Sequence, residues 1–99
     1  MTLQNLFKSF LRRGYSARLV KMSFGDTAIM IDHDYSGLYP DENALKIAEN
    51  VARLARKNGF FVEPRGYWSA SLVRDMKAIE AEKEKMLEID KFWEARHEA

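Results

Sequence analysis

The chain contains no cysteine. Disulfides and thiolate metal sites are therefore excluded, and the expectation is a protein of a reducing compartment, the cytoplasm. Long apolar runs are missing as well, the longest being the four residues at 28–31. A spanning helix needs about 20 such residues, so no membrane partner is expected. The opening stretch MTLQNLFKSFLRRG places its bases after its apolar residues and has no continuous apolar block, unlike a secretory leader. Glycine is scarce, and Gly14, Gly25, Gly37, Gly59 and Gly66 each fall between predicted elements rather than in a phosphate-cradling loop. No serine stands in a nucleophile elbow. Every acid stands among other charges, with nothing to shift its pKa for acid–base work. Neither an enzyme nor a cofactor is expected.

Charge of one sign is missing from whole stretches. Residues 1–24 hold five bases and no acid, and residues 25–44 hold five acids and no base. Residues 45–67 carry a net +3 and residues 68–99 a net −2, so the overall +1 hides a segregated chain. Such segregation predicts a basic face.

What is present suits a single small globular domain: 99 residues, 46% hydrophobic and 31% charged. Thr2 can cap a first helix whose Leu3, Leu6, Phe7, Phe10 and Leu11 recur at helical spacing before Gly14 stops it. YSARLVKMSF and TAIMIDHDY then flank Gly25-Asp26, a pair that suits a two-residue hairpin turn. That turn would set Phe24 opposite Thr27, Met22 opposite Ile29, Val20 opposite Ile31 and Arg18 opposite His33, gathering the apolar residues on one face. A second helix is expected near 42–58, with Ala44, Ile47, Ala48, Val51, Leu54 and Ala55 inward and Gly59 at its end. Residues 60–62 read as a short strand closed by Pro64, and Ser69 or Ser71 as the cap of a last helix from Leu72 to about Arg96.

The fold expected is α+β: a small two-layer domain of order α-β-β-α-β-α. Its three-stranded sheet has the third strand beside and parallel to the first. Residues 1–70 would form the compact core and residues 71–99 the long helix, packed on that core or projecting from it. A 25-residue helix is nearly 40 Å long, against a core roughly 25 Å wide. Between Ile79 and Met86 the only apolar residue is Ala81, after which Met86, Ile89, Phe92 and Trp93 cluster on one side. These four are the expected protein-interaction residues, serving a larger protein or nucleoprotein complex, or a homodimer through the same helix.

Two further groups merit weighing. Arg12, Arg13, Arg18, Arg53, Arg56 and Lys57, with Tyr15, Tyr67 and Trp68 for stacking, would make a nucleic-acid surface if the first two helices lie side by side. Asp32, His33 and Asp34 resemble metal ligands, but strand alternation turns His33 away from the two aspartates. The functional expectation is a non-enzymatic protein that modulates or inhibits a larger complex. Phage and mobile-element accessory proteins often have this size and lack of motifs. A nucleic-acid-binding regulator is the alternative.

Overall fold

The computed structural model describes residues 1–35, 37–66 and 68–97, with the backbone alone for the last of these. In chain order the elements are α1 (Leu3–Arg12), β1 (Ser16–Lys21), β2 (Thr27–Asp32), α2 (Glu42–Lys57), β3 (Phe60–Arg65), β4 (Ala70–Asp75) and α3 (Met76–His97). The fold is α+β, as the sequence pattern indicates, but the sheet has four strands, ordered β1-β2-β4-β3 and antiparallel throughout.

The first 75 residues are two successive helix–strand–strand units. Thr2 caps α1 by accepting from the Asn5 amide at 3.1 Å, and Asp41 caps α2 by accepting from the Ala44 amide at 2.8 Å. Each helix gives way to its strand through a glycine in the left-handed region, Gly14 at φ +84° and Gly59 at φ +81°. Each also buries a pair one turn apart, Leu6 with Phe10 and Val51 with Ala55. Those pairs meet Ile29, Ile31, Phe60 and Val73 in one core.

Three expectations need correction. The first concerns the hairpin. The β1–β2 loop holds three residues, Ser23, Phe24 and Gly25, inside a Met22–Asp26 pair in which the Met22 amide donates to the Asp26 carbonyl at 2.8 Å. Gly25, at φ +91°, supplies the left-handed third position of such a loop. Leu19 consequently faces Ile29 and Ala17 faces Ile31. This register differs by three residues from the expected one. An odd shift moves Val20 to the opposite face from Ile29 and Ile31.

The second correction is β4. Residues 70–75 form a central strand, so the last helix begins at Met76 and neither Ser69 nor Ser71 caps it. Ser71, Leu72, Val73 and Arg74 are all at most 4% exposed, because this strand is covered on both faces. Burial on both sides removes the alternation that marks a strand, and Leu72, Val73, Met76 and Ile79 then imitate a helical stripe. The third correction follows. The strand after α2 runs to Arg65, through Pro64, and pairs antiparallel with β4 rather than parallel with β1. Pro64 is tolerated because β3 is an edge strand.

Cross-strand partners share a face. One face carries the rows Leu19–Ile29–Val73–Val62 and Ala17–Ile31–Ser71–Pro64, and α1 and α2 cover it. The other carries Arg18–Met30–Leu72–Glu63 and Ser16–Asp32–Ala70–Arg65, with Val20 beside Ala28 and Phe61 beside Arg74. The start of α3 packs on that second face. The helix then continues as a largely exposed rod and helps stretch the molecule to 55 × 34 × 20 Å.

Candidate functional site on the last helix

Arg74 fixes how α3 leaves the sheet. Arg74 is 4% exposed, and its guanidinium bonds to Glu82 of α3 at 2.6 Å and to both carboxylate oxygens of Asp26, which closes the β1–β2 loop, at 3.2 Å. Burial alone would lower the Arg74 pKa. The hydrogen bonds to Glu82 and Asp26, with the charges behind them, outweigh that and raise it. Among the described residues Ile79, 8% exposed, is the last well-buried side chain of the helix. One turn beyond Glu82's own, Lys85 lies over the Phe24 ring, 5.8 Å from its centroid.

Past that point the described side chains of the helix are exposed. Met86, Leu87, Ile89, Phe92 and Trp93 are 47–59% exposed, an unusual density of large apolar groups on one short segment. Phe92 and Trp93 meet edge to face with centroids 6.1 Å apart, and the Arg96 guanidinium sits 5.3 Å from the Phe92 ring. Between α3 and the second face of the sheet lies an open cleft of about 670 Å³. Met22, Phe24, Phe61, Ile79, Met86 and Leu87 give it apolar walls, and Glu63, Arg65, Lys83 and Asp90 add charge. The shifted register of β1 is what sends Met22 and Phe24 here.

Of the expected interaction residues, Met86, Ile89, Phe92 and Trp93 all lie on the exposed part of α3, where Leu87 joins them. The six candidate nucleic-acid residues are distributed differently. Arg12 and Arg13 end α1 beside the start of β1, whereas Arg56 and Lys57 end α2 beside the start of β3. Those strand starts lie at opposite ends of the sheet, since Ser16 is in the row of Arg65 and Phe60 pairs with Asp75. Arg18 points to the second face, and Arg53 pairs with Glu49 at 3.2 Å. The structure therefore does not bring the six together. Tyr15 packs on the core at its own end of β1, Trp68 is half exposed beside α2, and Tyr67 lies outside the described residues.

Asp32 ends β2, and Asp34 lies beyond it at φ +56°. His33 is fully buried while both aspartates are exposed, and the Asp32 carboxylate accepts from the Asp34 amide at 2.9 Å. Among the described residues no group of three or more His, Cys, Asp or Glu side chains could hold a metal ion. His33 instead tethers the β3–β4 turn. Its Nδ1 is 2.6 Å from the Trp68 carbonyl and its Nε2 2.6 Å from the Ser71 hydroxyl. A carbonyl only accepts, so Nδ1 carries the proton and Nε2 takes the hydroxyl's hydrogen bond. Trp68 is thereby held at φ +72°, a left-handed conformation that bulky residues rarely adopt.

Sequence reasoning missed Arg74, Phe24 and the His33–Ser71 pair. Arg74 and Ser71 become visible only once β4 is recognised as a strand, whose register sets them on opposite faces, and Phe24 only once the three-residue loop is. Among the described residues no helix is long and apolar enough to cross a membrane. No protein-family model, curated protein or solved structure matches the chain, so its reading rests on its own residues.

Proposed function

We propose that this chain is a small cytoplasmic binding protein, without catalytic activity, that docks on a larger protein or nucleoprotein complex and modulates or inhibits it. Its docking element is α3, with Phe92 and Trp93 as anchors and Met86 and Ile89 beside them. The observation that carries this reading is the near-half exposure of all four large apolar side chains on one stretch of α3. Aromatic side chains on a rigid helix are effective anchors because they bury much area at little entropic cost. The Arg74 clamp supports the same reading, since it holds the base of the helix at a set angle to the sheet.

The test is affinity capture from nuclease-treated lysate with the wild type and with a Phe92→Ala, Trp93→Ala double variant. Both side chains are exposed, so circular dichroism and unfolding midpoint should match the wild type. Capture of a discrete partner by the wild type and its loss in the variant support the proposal. Retention of the same partner by the variant removes α3 as the docking element.

A further inference from the structure

We infer that the free edge of β1 docks an acidic, extended segment of another protein, which joins the sheet as a further antiparallel strand. This surface is distinct from the docking element of the proposed function. The helix α3 packs on β3 and β4, and β1 is the edge of the sheet away from β3.

The argument starts from the backbone. Antiparallel partners alternate between pairs that exchange both hydrogen bonds and pairs that exchange none. The Met22 amide donates to the Asp26 carbonyl, so Met22–Asp26 is a bonded pair, and with it Val20–Ala28, Arg18–Met30 and Ser16–Asp32. Ala17, Leu19 and Lys21 therefore turn their amides and carbonyls outward, away from β2. Among the described residues nothing bonds to those outward groups. Such a row of amides and carbonyls is a template for another strand. The opposite edge is poorer, because β3 has no amide at Pro64 and its Glu63 and Arg65 are bonded to each other.

Charge then selects the occupant. Lys8, Arg12, Arg13, Arg18 and Lys21 are all exposed, and among the described residues none of them forms an ion pair. Because α1 lies over β1 and β2, Arg12 and Arg13 at its end stand by Ser16, with Lys21 at the other end of the strand and Arg18 between. A second copy of β1 would set these bases against its own, so self-pairing is opposed. A strand carrying carboxylates meets opposite charge at each place. Asp32, beside Ser16, favours a neutral residue there, and Leu19, 40% exposed, favours an apolar one. Taken in antiparallel order from Lys21 to Tyr15, the fitting pattern is acidic, neutral, apolar, acidic, neutral, neutral, acidic. A nucleic acid would suit the bases and the outward amides but would bring phosphate oxygens onto the outward carbonyls. A polypeptide offers a donor and an acceptor at each residue and fits both.

The test is nuclear magnetic resonance of the isotope-labelled chain, titrated at low salt with acetyl-Glu-Thr-Val-Glu-Thr-Ser-Glu-Glu-amide. At saturation, solvent exchange of the Ala17, Leu19 and Lys21 amides should slow by roughly tenfold, while the Arg18 and Val20 amides, already bonded to β2, should not change. The same peptide N-methylated at its first, third and fifth residues keeps its charge but lacks the amides that face β1, and should not bind. A form with lysine in place of each glutamate should not bind either. Arg18→Glu combined with Lys21→Glu, both at exposed positions, should weaken the acidic peptide by roughly tenfold and admit the lysine form. Failure of the acidic peptide to bind overturns the inference. So do equal binding of the N-methylated or lysine form, protection that does not alternate along β1, or a double variant that binds like the wild type. Tighter binding of a single-stranded oligonucleotide of equal charge also overturns it and assigns the edge to nucleic acid. None of these results bears on α3, since Phe92 and Trp93 take no part.

Discussion

The Arg74 guanidinium donates to the Glu82 carboxylate at 2.6 Å while its other edge holds Asp26 at 3.2 Å. One buried cation thus joins the middle of the sheet, the tip of the β1–β2 hairpin and the second turn of α3. Arg74 sits directly opposite Phe61 across the β3–β4 ladder, so the clamp forms the inner end of the cleft.

Removing that cation should be costly. Arg74→Ala strands two carboxylates against the sheet, and breaking a buried pair costs about 3–5 kcal/mol. Asp26 and Glu82 retain some contact with water, 20% and 30% exposed in their side chains, which lowers the expected loss to about 2–3 kcal/mol. Urea unfolding should show a lower midpoint at an unchanged slope. The sign with pH follows from the direction of the shift. The folded Arg74 pKa is raised, so its contribution is fully present below the unfolded value and would fade only as pH climbs through the folded one. Stability from this clamp should therefore be flat from neutral pH to about pH 10 in the wild type. A midpoint unchanged by Arg74→Ala would show that the clamp contributes nothing.

Gly25 offers a purely backbone test. Its φ is +91°, and a Cβ added there meets nothing within 4 Å, so the cost of a side chain is conformational alone. Gly25→Ala should lose about 1 kcal/mol, and Gly25→Asn less, because asparagine tolerates the left-handed region better. Gly25 is the one left-handed position of the three-residue loop. Thermal midpoints that rank Gly, Asn, Ala in descending order would agree with it. An Ala variant as stable as the wild type would remove the positive φ from the account.

How much of this was legible follows from which faces are covered. α1 and α2 could be read because each is amphipathic, capped and stopped by a glycine, and only one side of each is buried. The hairpin's existence was equally clear, but its register was not. Ala17 packs on the core, with Leu19 on the same face, while Val20, Met22 and Phe24 lie on the other side, towards α3, so both phases of β1 carry apolar residues and alternation selects neither. β4 is harder still, being buried on both faces and running without a break into α3. On α3, by contrast, the polar interval after Ile79 marks where the helix leaves the sheet, and Met86, Ile89, Phe92 and Trp93 beyond it are exposed. The six bases went ungrouped because helix ends are favourable places for cations anywhere in a fold. Their shared direction depended on a topology that the sequence does not state.

The point at which α3 leaves the core should appear in a short alanine series. Ile79→Ala removes a side chain only 8% exposed and should cost about 2 kcal/mol or more. Met86→Ala, Ile89→Ala and Phe92→Ala remove groups about half exposed, and should each change stability by less than about 0.5 kcal/mol. The unfolding midpoint therefore serves as a ruler along the helix. A loss at Phe92 comparable with that at Ile79 would mean the far end packs against the domain, and the docking proposal would lose its carrying observation.

The His33–Ser71 pair gives the sharpest test of coupling, because both ring nitrogens of a fully buried imidazole are committed. Ser71→Ala leaves Nε2 without its donor and should cost about 1 kcal/mol. His33→Phe keeps the apolar ring volume but abandons both the Ser71 hydroxyl and the Trp68 carbonyl, so the expected loss is about 2–3 kcal/mol. The double variant should lose less than the two single losses combined. Once His33 is gone the Ser71 hydroxyl is an unsatisfied buried group, and removing it then relieves a penalty rather than breaking a bond. Trp68 provides a second readout. With Trp93→Phe in the background it is the only tryptophan, and losing its carbonyl tether should let the turn relax from φ +72° and shift its emission. Strictly additive losses would show that His33 and Ser71 act independently. An unmoved Trp68 emission in His33→Phe would show that some contact other than the imidazole holds the turn in its left-handed form.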